Sequence, residues 1–558
     1  MVNMAKIRKI DLALIAILAV AGIVRYWALN FGLPDLWCRP DENQIAGIIT
    51  SPLRFFHPGR FNYPSLYKYI VLSLYGLYYL FVLIADRYIS IEDFIKRFLM
   101  DPTPFYLIAR SLTAFLGTMT VFIVYKISKN LFDRRSALIS SLFMSLAYLH
   151  VRDSHFGVAD VPMTFFIMLA MLFLVNSYNR KDLKNYVLAG IFAGLAASTK
   201  YAGILLVVPM CIVHILNITS KKDLKITAFL DKRMIFFLIS MGGAFLLGTP
   251  FALLDFSKFV SDLLFESGYL NYGHGIILGR GWSYHLWFSL FFGLGGSLWF
   301  ASLLGIGILA KTDVKKALLL CSFPLVYYIF IGKGYNVLVR YSVPLIPFLC
   351  MTASIFIIFL SNRLTAGFKR STNSIVTYSL AILIILPSAC NIIRFDRLLG
   401  EKDNRLIAAE WINENLAQGS SIYVAGFIYG KPYLSPTIET LEKEDRGTIE
   451  KILSENKEPG AAEENIGRFQ FIKRYRDGDD LPQYIITEES PLIVYSQIPK
   501  AINDLLKNSY HLKKSFEVIN VKNKENLFDQ QDAFYIPFVG FQEIRRPGPN
   551  LYVYEKNR

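Results

Sequence analysis

Two adjacent carboxylates, Asp41 and Glu42, follow Cys38-Arg39-Pro40 shortly after the first long apolar run, residues 12–29. Charges so close to hydrocarbon are costly and mark function by default. A hydroxyl is a poor nucleophile at neutral pH, and a carboxylate within hydrogen-bond reach can relieve it of its proton. Asp41 is the candidate base, with Glu42 positioning a neighbouring group or binding substrate. An Asp after Pro also suits the cap of a helix starting near Asn43, a role compatible with catalysis. A third carboxylate, Asp160, stands directly before Val161-Pro162 at the start of another apolar run, where it too suits a cap.

The elements that must position these groups are membrane helices. The chain has 558 residues, 53% of them hydrophobic and 15% aromatic, and a mean hydropathy of +0.38, which is too apolar for an ordinary soluble protein of this size. The net charge of +15 does not point to nucleic acid, because of where it lies. Residues 394–558 hold 23 Lys+Arg against 26 Asp+Glu, leaving 36 against 18 in the first 393. The five cysteines show no metal or disulfide spacing and read as packing residues. Residues 12–29 lack a small-residue cleavage site and lead into more membrane sequence, so they read as a retained helix.

Twelve apolar segments approach the length of a crossing. If the amino terminus is cytoplasmic and residues 66–85 lie in the outer interface, the inner loops carry 18 basic residues against five acidic ones, and the amino terminus adds Lys6, Arg8 and Lys9, satisfying the positive-inside bias. About eleven transmembrane helices plus interfacial helices follow. Asp41, Glu42, Asp153, His155, Asp160, Lys200, the loop 251–285 and residues 333–341 then share the outer side. Residues 1–393 form this membrane domain, and residues 394–558 read as an extracytoplasmic soluble α/β domain serving acceptor recognition or stability. In it we expect helices at 404–416 and 500–508, strands at 421–427, 484–487, 492–496 and 551–554, and a charged insertion over 431–478.

Five stretches in this order carry a family resemblance: Pro40-Asp41-Glu42; Tyr63-Pro64-Ser65-Leu66; Ser154-His155-Phe156-Gly157-Val158-Ala159-Asp160; Gly194-Leu195-Ala196-Ala197-Ser198-Thr199-Lys200-Tyr201; and Arg340-Tyr341-Ser342-Val343-Pro344. Together they resemble the GT-C glycosyltransferases of the protein O-mannosyltransferase and aminoarabinose transferase type. The resemblance implies an inverting enzyme that moves a sugar from a polyprenyl or dolichyl monophosphate to a hydroxyl on a lipid, protein or polysaccharide. It places the protein in the plasma (inner) membrane, active at the outer face, with membrane lipids and no nucleic acid as partners. Asp41 and Asp160 form the expected catalytic set, with Glu42, His155, Lys200, Tyr201, His274, Arg340 and Tyr341 at the substrate.

A lipid phosphate gains negative charge as the glycosidic bond breaks, and fixed cations lower that barrier. Arg340 and Lys200 are the candidates, with Arg39 and Lys333 in reserve; each is also the kind of side chain that snorkels. His274 lies in a loop with glycines, aromatic residues and Glu266 that suits a lid. Asp41, Asp160 and His274 could assemble a divalent metal site, but no ligand spacing demands one and no cofactor is assigned. Two rivals stand: a lipid or solute transporter, disfavoured by ionisable groups gathered at one face, and an oligosaccharyltransferase, which lacks its Trp-Trp-Asp type motif here.

Overall fold

Apolar runs with no polar interruption leave the backbone only one way to satisfy its own hydrogen bonds in lipid, and they fold as helices. The computed structural model describes residues 11–50, 57–85, 89–218, 231–434, 469–472 and 480–558. The basic residues of the amino terminus and of loop 219–230, and most of the charged insertion, lie outside them. Every segment expected to cross is helical, from Leu12–Tyr26 through Thr103–Leu131 to Arg370–Leu399. Among the described residues seven helices are long and apolar enough to cross a membrane by themselves, and an eighth span forms if Gly281–Leu294 and Gly296–Thr312, bent by 116° at Gly295, are counted as one. Shorter helices such as Arg134–Ser145 are buried among the long ones.

The most extensive helix pairing joins Leu183–Thr199 to Lys232–Gly248. A side chain at Gly190 or Gly194 would fall within 2.4 Å of the Phe237 or Met241 carbonyl oxygen, so this Gly-xxx-Gly face is what allows the backbones to approach.

Leu66–Ala85 also has the length and composition of a span. Its contacts run backward along Thr103–Leu131: the Tyr67 hydroxyl meets Thr113 at 2.6 Å and the Tyr75 hydroxyl donates to the Phe105 carbonyl at 3.1 Å. The helix therefore overlaps only the first turns of its neighbour, at the end where Asp41 lies. The expected lid is more regular than a loop, with helix Phe256–Tyr269 docked by Asp262, which accepts from the Phe61 amide at 2.8 Å.

The C-terminal domain is built on a five-stranded sheet in the order β2-β1-β3-β5-β4, formed by β1 (Ser421–Val424), β2 (Gln470–Ile472), β3 (Tyr484–Glu489), β4 (Tyr510–Phe516) and β5 (Asn550–Lys556). Strand β1 runs parallel to β2 and β3, whereas β5 runs antiparallel to both β3 and β4. Helices Asn404–Asn415 and Lys500–Ser509 fall where expected. Residues 492–496, expected as a strand, form a turn in which the Leu492 carbonyl accepts from Tyr495 and Ser496, and the apolar side chains face a small core of their own. Strand β4 escapes sequence reading because it is a charged edge strand with a register shift between Leu512 and Lys514 that breaks the alternation.

Candidate active site

The loop after Leu12–Tyr26 is tied down by Arg110, which reaches the Leu29 and Phe31 carbonyls and clasps Glu42 through two bonds of 2.9 and 2.6 Å. Glu42 also accepts from the Gly157 amide at 2.7 Å and is buried. Asp41, its neighbour, adopts a left-handed backbone with φ of +69°. That conformation is sterically unfavourable for a residue with a side chain, and it turns the two carboxylates apart. Glu42 is locked into the protein, while Asp41 faces a cavity and meets Arg340 at 2.6 Å.

Arg340 approaches from a 3-10 turn, Val339–Leu345, that leads into helix Ile346–Leu364. Its Nη2 serves Asp41, but its Nε and Nη1 are buried with no hydrogen-bond partner. Two buried donors without a partner, on a residue that lines a cavity, make this guanidinium a candidate for anion binding. Asp160 opens helix Asp160–Arg180 and accepts from Lys200 Nζ at 2.6 Å. Lys200 in turn lies 4.8 Å from the Tyr341 ring centre and 5.9 Å from that of Tyr63.

Asp41 stands at the junction of two spaces. One is a narrow pocket that it lines with Asp160, Tyr63 and Lys68. The other is a cavity of about 400 Å³ bounded by Asp41, Glu266, Tyr269, His274, Arg340 and Tyr341 of the membrane domain and by Phe427, Tyr429, Tyr495, Gln531 and Asp532 of the C-terminal domain. The Asp41 carboxylate raises the Tyr63 phenol well above its usual range, helped by burial. Burial and the Asp262 and Asp41 carboxylates raise Glu266, whereas burial and the Arg340 charge lower His274. His274 Nδ1 sits 2.5 Å from the Tyr269 hydroxyl.

Three expected substrate contacts are placed elsewhere. Glu42 is consumed by Arg110 and Gly157. His155 is buried outside the cavity, its Nδ1 on the Val151 carbonyl at 2.9 Å and its pKa pushed by burial down to about 4. Tyr201 donates to the Phe61 carbonyl at 2.7 Å and braces the loop before Tyr63. Arg39, held in reserve for phosphate, is buried against Asp532 at 2.7 Å. Asp41 and Asp160 face cations, and among the described residues no three His, Cys, Asp or Glu side chains gather as a metal ligand set.

Sequence reading missed Lys68, which looked like one more residue of an interfacial helix, and the wall supplied by Asp529-Gln530-Gln531-Asp532. Gln531 accepts from the Val337 amide at 2.6 Å and donates to the Ile276 and Tyr335 carbonyls, and Asp529 accepts from the Val339 amide at 2.9 Å, so this loop grips the segment that carries Arg340. Burial opposes ionisation of both acids. The Arg39, Arg340 and Arg152 charges nonetheless hold Asp532 below its usual range, while Asp529 beside it is pushed up. A signal was available: four polar residues interrupt an otherwise aromatic and aliphatic run, 527–541.

The family model of dolichyl-phosphate-mannose-protein mannosyltransferase matches residues 93–263, a stretch that contains Arg110, Asp160 and Lys200. The structure of ArnT from Cupriavidus metallidurans bound to undecaprenyl phosphate aligns over 97% of this chain and 97% of that one, with a TM-score of 0.51 and 12% identity. The chain has the GT-C glycosyltransferase fold. In this GT-C chain the region matched by the family model supplies one carboxylate and one cation of the site, while Asp41 and Arg340 come from either side of it. The apo oligosaccharyltransferase of Archaeoglobus fulgidus aligns over 97% of this chain and 88% of that one, with a TM-score of 0.49 and 12% identity. An uncharacterized protein of Aquifex aeolicus (strain VF5) is 25% identical over 224 residues, covering 40% of this chain, and the match spans 42% of that relative's length.

Proposed function

We propose that the chain is an inverting glycosyltransferase that moves a sugar from a polyprenyl monophosphate to a hydroxyl acceptor, at the outer face of the membrane it spans. The observation that carries the reading is a carboxylate and an under-bonded, buried guanidinium side by side at one cavity, Asp41 and Arg340. The relative ArnT, solved with undecaprenyl phosphate, supports the choice of donor.

In the proposed reaction the acceptor oxygen bonds to the anomeric carbon from the face opposite the phosphate, and its proton passes to Asp41. The bond from the anomeric carbon to the phosphate oxygen breaks, and the lipid phosphate keeps the electron pair. The charges of Arg340 and Lys68 neutralise it, while Asp160 held by Lys200 shapes the pocket beside Asp41. Phe427, Tyr429 and Tyr495 give the acceptor side an aromatic wall.

The test is sugar release from labelled polyprenyl-phosphate hexoses and pentoses by the purified chain in lipid, supplied with envelope extract as acceptor. Turnover of at least one donor that yields an inverted linkage is expected. Transfer only from pyrophosphate-linked donors, or retained anomeric configuration, removes the reading.

A further inference from the structure

Where the end of helix Arg370–Leu399 meets the C-terminal domain there is a second large cavity, of about 510 Å³, which shares no lining residue with the reaction cavity. Arg394 and Arg397, neighbours on one helix face, converge in it with Arg545 of the C-terminal domain, and only Glu401 opposes them. Phe541 and Ile544 give it an apolar floor. All three arginines are exposed and have no ion-pair or side-chain hydrogen-bond partner among the described residues. Three like charges gathered without partners repel one another, which makes the cavity a receptor for an anion.

The height of the cavity identifies the anion. The same helix exposes Ile382, Leu383, Leu386 and Ile393 to its surroundings, an apolar stripe that ends where Arg394 begins. The Trp27 indole donates to the Asp396 carbonyl at 3.1 Å, between the two arginines, and Tyr26 and Trp27 are both exposed. Exposed aromatics at a helix end mark the membrane–water interface. With that exposed stripe facing lipid, the arginines fall at headgroup level directly above it.

We propose that this cavity binds the phosphate headgroup of an anionic phospholipid, with its acyl chains along the exposed face of Arg370–Leu399. A zwitterionic lipid would leave the excess positive charge unmatched. Because Arg545 follows Asp532 on the segment that docks through the Tyr148 hydroxyl on the Phe538 carbonyl at 2.7 Å, the bound lipid ties the membrane helix to the domain that walls the reaction cavity.

The test uses the full chain in nanodiscs of phosphatidylcholine alone, of phosphatidylcholine with phosphatidylglycerol, and of phosphatidylcholine with inorganic phosphate added. Thermal midpoint and lipid retained in native mass spectrometry are read for the wild type and for the triple variant Arg394→Gln/Arg397→Gln/Arg545→Gln. Phosphatidylglycerol is expected to raise the wild-type midpoint and to remain bound. Each arginine removed should weaken retention roughly fivefold, and the triple variant should match the wild type in phosphatidylcholine alone, which establishes that it is folded. Equal phosphatidylglycerol retention by the two proteins overturns the proposal. So does an equal rise with inorganic phosphate, which would assign the cavity to a soluble anion.

Discussion

Asp41 Oδ2 and Arg340 Nη2 lie 2.6 Å apart across 299 residues of sequence. The pair joins the proposed base to the proposed phosphate receptor, so a donor that enters must share Arg340 with Asp41.

Asp41→Asn keeps the shape and the hydrogen bond to Arg340 but cannot accept a proton. Turnover at saturating donor should fall by about 10²- to 10⁴-fold, with donor KM little changed. Near wild-type turnover in a labelled-sugar transfer assay removes Asp41 from the role of base.

Arg340→Lys replaces a fork by a point charge, and Lys68→Met removes a cation from the pocket shared with Asp160. A charge-assisted hydrogen bond contributes about 1.5–3 kcal/mol, so each change should raise donor KM between about tenfold and 100-fold, with acceptor KM unchanged. A rise confined to acceptor KM would place the phosphate elsewhere.

Glu42→Gln should behave quite differently from Asp41→Asn. It leaves the Arg110 guanidinium, fully buried, without its counter-ion, and breaking such a pair costs about 3–5 kcal/mol. The expected outcome is a lower thermal midpoint and poor yield, partly restored by adding Arg110→Met. A stable variant with lost turnover would instead make Glu42 part of the chemistry.

Glu488 supports the aromatic wall: its Oε1 accepts from the Phe427 amide at 2.9 Å, and its other oxygen lies against Gly430. Burial raises its pKa from 4.5 to about 8. The folded chain thus holds a proton that the unfolded chain releases, so stability should fall as pH rises from about 4.5 to about 8. Glu488→Gln should flatten that dependence and raise the midpoint at pH 8. An unchanged slope in thermal scans from pH 5 to pH 8 would show that Glu488 is ionised in the fold.

The expected crossings are all found as helices because each rests on local hydropathy, which is sufficient where lipid or a buried bundle is the solvent. Asp41, Asp160, Arg340 and Lys200 were legible as a group because they recur at the same ends of those helices. His155 and Tyr201 were misplaced for a related reason: they share those ends, but a helix end has several faces and hydropathy does not say which one meets the cavity. Lys68 was hidden by its apolar neighbours, and β4 by its lysines.

The sequence by itself determined that the chain is a bundle of membrane helices with a mixed α/β domain after it, and that carboxylates and cations gather at one end. Only the tertiary structure decided that adjacent Asp41 and Glu42 have opposite fates, and that residues beyond 420 wall the cavity. Composition and period act over a few turns of chain, whereas the state of a carboxylate is set by whichever cation the fold brings to it, and Arg110 and Arg340 arrive from elements far apart in sequence, Thr103–Leu131 and Val339–Leu345.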